Sequence, residues 1–457
     1  MHPQLSSIDM DAAGAEATEL LRALIRFDTT NPPGNEEACA AFLADHLRQG
    51  GLEPEILTPA PGRANLVVRL RGDGTGGGPL LLNAHLDVVP AEADRWTHPP
   101  FAAELADGFV WGRGAVDMKN MAAMSATVMR LLARSDVRLT RDVIFAAVAD
   151  EETGCALGSE WLVDQHPDKV RAQEALGEVG GFPLAVGGRR VYPIQVAEKG
   201  ICWIRVRAVG TSGHGSVPRE DNAVVRLGRF VAKVGSTRLP VHRSPALDRF
   251  VHELAQTQTG AARRALPLLL DGRFPPRLGD LMLRDPSARR TLNAVLRNTA
   301  SPTVLRAGYK SNVIPGVAEA ELDGRIAVGS TAEVLLEELR ALAGPGITLE
   351  VIRTHPPTVA APDTPLYATL AAVVREHDPG AAPVPNVLPG FTDASRWSRL
   401  GTTCYGFSPV VFDPTGTLRF ADLFHGDDER IPVAGFTAGL RMLTDAVFRT
   451  VGPPQAG

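Results

Sequence analysis

The chain has 457 residues, 44% of them hydrophobic and 22% charged, with a formal net charge of −5. That length exceeds one ordinary core and sets two domains as the starting expectation, while so small a charge argues against a nucleic acid or an anionic membrane as partner. Cys39, Cys155, Cys202 and Cys404 form neither a CxxC pair nor a disulfide framework, no apolar run reaches the length of a membrane span, and Met1–Ser7 does not read as a secretory signal; together these suit a reducing cytoplasm.

Ala15 to Phe27 has the spacing of an amphipathic helix, with Leu20, Leu21, Leu24 and Ile25 on one face. Turn residues Asp28-Thr29-Thr30-Asn31-Pro32-Pro33-Gly34 stop it, and a second helix is predicted over Glu36 to Gln49. Asn65 to Leu70 predicts a strand. The apolar run from Pro79 predicts another, which delivers Ala84-His85-Leu86-Asp87-Val88-Val89-Pro90 at its end. Phe109 to Trp111 runs into the tight turn Gly112-Arg113-Gly114-Ala115-Val116-Asp117. Met118 to Ala133 is helical, and its stripe of Met121, Met124 and Val128 reads as core. The continuous apolar run Val143 to Ala149 suits a strand covered on both faces and ends in Asp150-Glu151-Glu152-Thr153-Gly154. With a further helix at Ser159 to Gln165, the alternation argues for an α/β layer structure with a largely parallel sheet.

The character changes near Glu198-Lys199-Gly200. Ile201 to Ala208 alternates with period two, and a helix follows at Asn222 to Val234. Residues 236–300 form a charged, proline-spotted, partly helical insertion. Strands are predicted at Thr303 to Tyr309 and Ala318 to Ile326, a helix at Ala332 to Leu342, and a strand at Thr348 to Arg353. Without the insertion this is β-α-β-β-α-β, the ferredoxin-like order. A second domain is therefore expected at about residues 199–355, inserted into a first made of 1–198 and 356–457, where a helix at Leu366 to Glu376 and a strand at Thr402 to Phe407 resume the α/β character.

Three segments of the first domain end in metal-binding or acid groups: His85 with Asp87, Asp117, and Glu151 with Glu152. Parallel strands would bring them together, because sites in such sheets lie at the strands' carboxyl ends. Adjacent carboxylates at the end of a buried strand repel each other and lose hydration unless a cation is near. An imidazole can ligate that cation while the Asp87 carboxylate holds the other ring nitrogen. For a second ion, Glu178 lies in the glycine-rich turn Leu176 to Gly181, with Glu174 as a rival better read as a helix-surface acid, and His425 lies near the C-terminus. Mixed nitrogen and oxygen donors fit zinc, with cobalt or manganese as alternatives. Two ions about 3.5–4 Å apart are the layout used to activate water.

Six motifs, taken jointly and in order, carry a resemblance. They are Ala84 to Pro90, Gly112 to Lys119, Asp150 to Gly154, Gly213-His214-Gly215-Ser216, Ser311-Asn312-Val313-Ile314-Pro315-Gly316, and Phe424-His425-Gly426-Asp427-Asp428-Glu429. Over about residues 15–450 the chain resembles the metallopeptidase family of glutamate carboxypeptidase, aminoacylase, succinyl-diaminopimelate desuccinylase and carboxypeptidase S, with the carboxypeptidase S-like branch nearest. The resemblance implies a zinc-peptidase-type catalytic domain with an inserted ferredoxin-like lid and dimerisation domain. It makes Asp117 a bridging carboxylate between two Zn2+ ions, one also held by His85 and Glu178, the other by Glu152 and His425. It makes Glu151 the general base and Asp87 the support of His85, and it implies a cis Asp117–Met118 bond. On the inserted domain His214 matches a histidine that polarises the scissile carbonyl. Asn312 and Arg325 match residues that contact substrate, Arg325 through two parallel hydrogen bonds to a carboxylate. Gly390 opens a matching substrate-side loop, Gly390-Phe391-Thr392-Asp393.

The chain departs from the family pattern at Asn120, at Ile326-Ala327-Val328-Gly329 and at Phe391; the last two bear on pocket shape. His46, His98, His166, His242, His252, His355 and His377 match no motif and read as surface or structural. Asp427, Asp428 and Glu429 read as a solvated or helix-start cluster. The function implied is metal-dependent hydrolysis of a peptide or amide bond next to a free α-carboxylate, as in a carboxypeptidase or dipeptidase. The alternative is an aminoacylase acting on N-acyl amino acids, towards which Phe391 and the insertion tilt mildly. A binding protein that merely keeps the fold would show a lost ligand or base, and none is lost. The partners expected are a small peptide or N-acyl amino acid and a second copy of the chain through the inserted domain, with neither nucleic acid nor membrane.

Overall fold

The computed structural model describes residues 2, 5, 7–271, 286–413 and 422–453. The N-terminal part forms β1 (Glu55–Ala60), β2 (Arg63–Leu70), β3 (Leu80–His85), β4 (Glu104–Ala106), β5 (Phe109–Trp111), β6 (Val143–Val148), β7 (Glu174–Gly177), β8 (Leu184–Val186) and β9 (Arg189–Glu198). The middle forms β10 (Gly200–Val209), β11 (Gly213–His214), β12 (Thr299–Ala307), β13 (Val313–Ile314), β14 (Val317–Ile326), β15 (Ile347–His355) and β16 (Thr358–Val359). The last strands are β17 (Ala382–Leu388), β18 (Thr403–Gly406) and β19 (Arg430–Pro432). The chain divides into two units. The first comprises Met1–Val196, Ala360–Asn386 and Thr392–Gly457; the second comprises Ala197–Val359 and Val387–Phe391.

In the first unit the strand order is β1-β2-β6-β3-β7-β18-β9, with β8 and β17 also paired to β9. The four central strands, β6, β3, β7 and β18, run parallel, and antiparallel β2 and β9 flank them. Strands β3 and β6 are buried along their whole length, which is why they read as unbroken apolar runs and not as alternating ones. Helix Lys119–Arg134 packs on β3 and against helices Met10–Ile25 and Val433–Val451, so its burial extends well beyond the predicted stripe. Its first residue, Lys119, is buried and donates Nζ to the carbonyls of Leu24 (3.0 Å) and Phe27 (2.8 Å). That ties the start of this helix to the chain leaving the first one, at Leu24 in its last turn and at Phe27 just beyond it. Leu162, Val163, Val170 and Trp397 pack with Leu81, Ile144, Ala146 and Val148 in a second apolar cluster.

Two local expectations are corrected. The first helix spans Met10–Ile25, not Ala15 to Phe27, because the Asp9 side chain caps it by accepting from the amides of Asp11 and Ala12. Glu174 is not a helix-surface acid. It opens β7, is buried, and pairs with Arg141 Nη1 at 2.7 Å.

The second unit carries the antiparallel sheet β12-β14-β10-β15. Alternate residues, among them Cys202, Ile204, Val206, Ala320 and Leu322, join a core with helices Ala223–Ser236 and Ala332–Leu342. This is the ferredoxin-like βαββαβ arrangement. The insertion includes helices Pro245–Gln256, Gly260–Ala265 and Pro286–Leu296, while its residues 272–285 lie outside the described residues. Lys199 ties it down through Nζ, which donates to the carbonyls of Ala294 (2.8 Å) and Arg297 (2.7 Å) and to Thr299 Oγ1 (3.0 Å). Among the described residues no helix is long and apolar enough to cross a membrane.

Candidate metal centre

Three adjacent parallel strands set the site. His85 is the last residue of β3, Asp150-Glu151-Glu152 follow β6, and Glu178 follows β7 directly. The Glu178 turn passes so close to β18 that a Cβ on Gly406 would lie 2.4 Å from the Glu178 carbonyl, so only glycine fits there. Asp117 ends the turn after β5, with a cis Asp117–Met118 bond, as the resemblance implies.

Asp117 presents one oxygen to each of two donor groups. Its Oδ1 lies 3.1 Å from His85 Nε2, which is 3.7 Å from Glu178 Oε2. Its Oδ2 lies 3.3 Å from His425 Nε2, which is 3.2 Å from Glu152 Oε2. His85, Glu151 and Glu178 also bring ligand atoms within 4.8 Å of one another, as do His85, Asp117 and Glu152. His425 stands exposed at the rim, while His85, Asp117, Glu151 and Glu178 are buried. Among the described residues, buried Glu152 Oε1 has no hydrogen-bond partner. A buried, unpartnered carboxylate oxygen among further carboxylates and two imidazoles is a donor set that fits divalent cations.

The electrostatics agree with that fit. Burial works against charge on His85, but Asp117 and Glu178 outweigh it and hold its pKa well above the usual imidazole value. Asp117 and Glu152 raise His425 to about 10. Burial raises Glu178 to about 7 and, with the Glu178 charge, lifts Glu151 well above the carboxylate range. Burial also raises Glu152, helped by Asp117. Burial alone would raise Asp117 too, but His425 and His85 draw it well below the ordinary value. Bringing acids this close leaves protons shared among them, and a cation removes the need for those protons.

Asp87 acts differently from the expectation. The nearest acceptor to His85 Nδ1 is the backbone carbonyl of Asp87, at 2.9 Å, with its carboxylate at 3.6 Å. The carboxylate instead accepts from the amides of Glu151 and Glu152, both at 3.1 Å, and from Asn31 Nδ2 at 2.9 Å. Asn31 also reaches Asp150, which Arg63 holds at 3.0 Å. In the sequence Asn31 is only a turn residue, and no motif marks Arg63. The Asn-Pro-Pro turn was visible, but its contact with Asp87 depends on tertiary folding.

Glu429 is a correction. It is fully buried, not solvated, and accepts four hydrogen bonds around the Asp117 turn. Burial pushes its pKa up to about 6. Asp427 pairs with Arg95 at 2.9 Å, and Asp428 accepts from the Thr97 amide and hydroxyl. The signal available was Glu429's position four residues after His425, but three acids in a row gave no means of telling which one faces inward.

The remaining candidates lie in the second unit. Strands β11 and β13 form a ribbon that sets His214 opposite Val313, and the amide of Gly215 donates to the carbonyl of Asn312 at 2.8 Å. His214 and Asn312 are both exposed, with His214 Nδ1 at 2.7 Å from Ser216 Oγ. On β14, Arg325 donates Nε (2.8 Å) and Nη2 (3.1 Å) to Asp323, and its guanidinium lies 5.5 Å from the Phe391 ring centre. Among the described residues, buried Arg325 Nη1 has no hydrogen-bond partner. Gly390 is half-buried, and a Cβ there would meet only Leu388 at 3.8 Å, so its glycine is not required by space. The loop motif is split. Gly390 and Phe391 group with the second unit, whereas Asp393 is buried in the first, bonded to Asn83 (3.0 Å) and to the Ser159 hydroxyl.

Residues 81–449 match the profile of Peptidase family M20/M25/M40. The chain belongs to this family. As an M20-family protein it is a metal-dependent hydrolase of peptide or amide bonds. Aminoacylase-1 of Homo sapiens is 28% identical over 434 residues, which cover 93% of each chain. Among solved structures, the M20 family metallo-carboxypeptidase Sso-CP2 from Sulfolobus solfataricus has a TM-score of 0.66 at 16% identity, over 94% of this chain and 98% of that one. The Bacillus subtilis YXEP protein, described as a dinuclear metal-binding peptidase, has a TM-score of 0.61 at 14% identity, over 97% and 99% of the two chains. At those identities the two structures speak for the fold.

Proposed function

We propose that this M20-family chain uses two divalent cations to cleave an amide next to a free α-carboxylate. The observation that carries the proposal is Asp117, with one oxygen towards His85 and Glu178 and the other towards His425 and Glu152. Those five residues would hold the ions, zinc by donor type, with cobalt or manganese as alternatives. When bound, the ions supply positive charge that acidifies water and polarises the scissile carbonyl.

Glu151 serves as the general base. It is buried beside the ligands, which places its carboxylate where it can accept a proton from the attacking water. It then returns that proton to the leaving nitrogen as the C–N bond breaks. Asp87 fixes the Glu151 and Glu152 backbone and holds His85 through its carbonyl. For substrate, we assign His214 to the carbonyl oxygen, Asn312 and the Gly390 loop to substrate contact, and Arg325 to the α-carboxylate. Asp323 occupies the Nε edge of Arg325, and we assign that carboxylate to the end bearing the buried Nη1, which has no hydrogen-bond partner among the described residues. The second unit also carries the homodimer surface in this reading, and four free, buried cysteines suit a cytoplasmic setting.

A peptide substrate and an N-acyl amino acid both satisfy these assignments. The second is favoured by the match to aminoacylase-1 across 93% of both chains. A panel of dipeptides and N-acyl amino acids, run on protein reconstituted with zinc, cobalt or manganese, decides between them. Each substrate is paired with its carboxamide analogue. The proposal expects a strong preference for free acids, and equal rates on acids and carboxamides would refute the carboxylate assignment.

A further inference from the structure

We propose that Glu429 is the positioning residue of the metal centre, holding the Asp117 turn and the His425 loop in one fixed relation. This rests on the ligand assignment above, in which Asp117 bridges and His425 binds. The geometry is specific. Glu429 Oε1 accepts from the amides of Val116 (2.6 Å) and Asp117 (3.0 Å); Oε2 accepts from the Gly114 amide (3.1 Å) and Arg113 Nη1 (2.8 Å). Its backbone carbonyl also accepts from the Gly112 amide at 2.9 Å, and the next residue, Arg430, pairs with Trp111 in the β19–β5 ladder. Arg113, the one side chain among the donors, is itself buried and lies 5.1 Å from the Trp96 ring centre.

Both oxygens of Glu429 are engaged by donors alone, so the cradle is shaped for a carboxylate. An amide in its place would set an NH2 group against N–H groups on one side. Three of the donors are backbone amides of the turn that ends at Asp117, and Glu429 follows His425 by four residues. The clamp therefore fixes the ligand backbone from the loop that supplies the other ligand. Asp117 divides its two oxygens between two donor sets, so a small rotation of this turn would disturb both sets together.

The test uses the full chain, stripped of metal and titrated with cobalt(II), followed by absorption and calorimetry, on wild type and Glu429→Gln. The expected result is two ions in wild type, and a weaker-binding ion in Glu429→Gln whose affinity falls about 10–100-fold, with an altered visible spectrum. Two ions with wild-type affinities and spectrum in folded Glu429→Gln would overturn the proposal, because a purely structural role would lower only the melting temperature. Fewer than two ions in wild type would instead overturn the ligand assignment on which it rests. If Glu429→Gln does not fold, amide exchange on wild type takes its place. The Val116 and Asp117 amides should exchange within about threefold of the same slow rate with and without metal, since Glu429 and not the ions protects them. Rapid exchange in the metal-free protein would overturn the proposal.

Discussion

At the scale of residues, the centre is a set of acids kept together by donors that are not metal. Asp87 shows how. Its carboxylate is buried, and burial raises its pKa despite the pull of His85 and Asn31. It persists because three N–H groups converge on it, two of them the amides of Glu151 and Glu152. Hydrogen bonds to a charged acceptor are worth about 1.5–3 kcal/mol each, so its removal frees the backbone of the base and of a ligand at once. Asp87→Ala is therefore expected to weaken metal binding about 10–100-fold and to lower turnover even at saturating metal. His85 stays aligned, because the carbonyl at residue 87 remains. Calorimetric titration and saturating-metal kinetics check this, and unchanged affinity would contradict it.

At the scale of elements, three parallel strand ends and two loops deliver the donors, and their proximity sets a pH dependence. In the metal-free protein His425 is raised to about 10 and Glu178 to about 7. Between these values His425 carries a proton that a cation must displace, whereas Glu178 has already lost its own. Apparent affinity should therefore rise with pH, about tenfold per unit for each proton displaced. As pH falls through about 7, Glu178 takes up a proton as well and the dependence steepens. Titrations across this range, with proton release measured in two buffers of different ionisation enthalpy, test the sign. Affinity independent of pH would contradict it.

At the scale of the whole molecule, periodicity and motif spacing made much of the architecture legible. The buried runs at Leu80–His85 and Val143–Val148 were readable because a strand covered on both faces has no polar alternation to blur it. The βαββαβ order of the second unit was readable from clean alternation, as at Gly200–Val209. Strands β1, β8, β9 and β17 and the helix Val433–Val451 are not legible in the sequence, since short or proline-containing runs, and a C-terminal helix whose buried face includes Thr444 and Asp445, give weak periodic signals. The supports around the ligands were less legible than the ligands. Glu429, Asn31 and Arg63 act through contacts 27 to 316 residues away in sequence, and no local pattern encodes such pairings.

The central claim is that Glu151 moves the proton while its neighbours hold the metal. Glu151→Ala, with its metal content counted and its turnover measured on the best substrate of the panel, tests it most directly. The expected result is two bound ions per chain and a kcat lower by about 100- to 10,000-fold. Two bound ions with near-normal kcat would contradict the account.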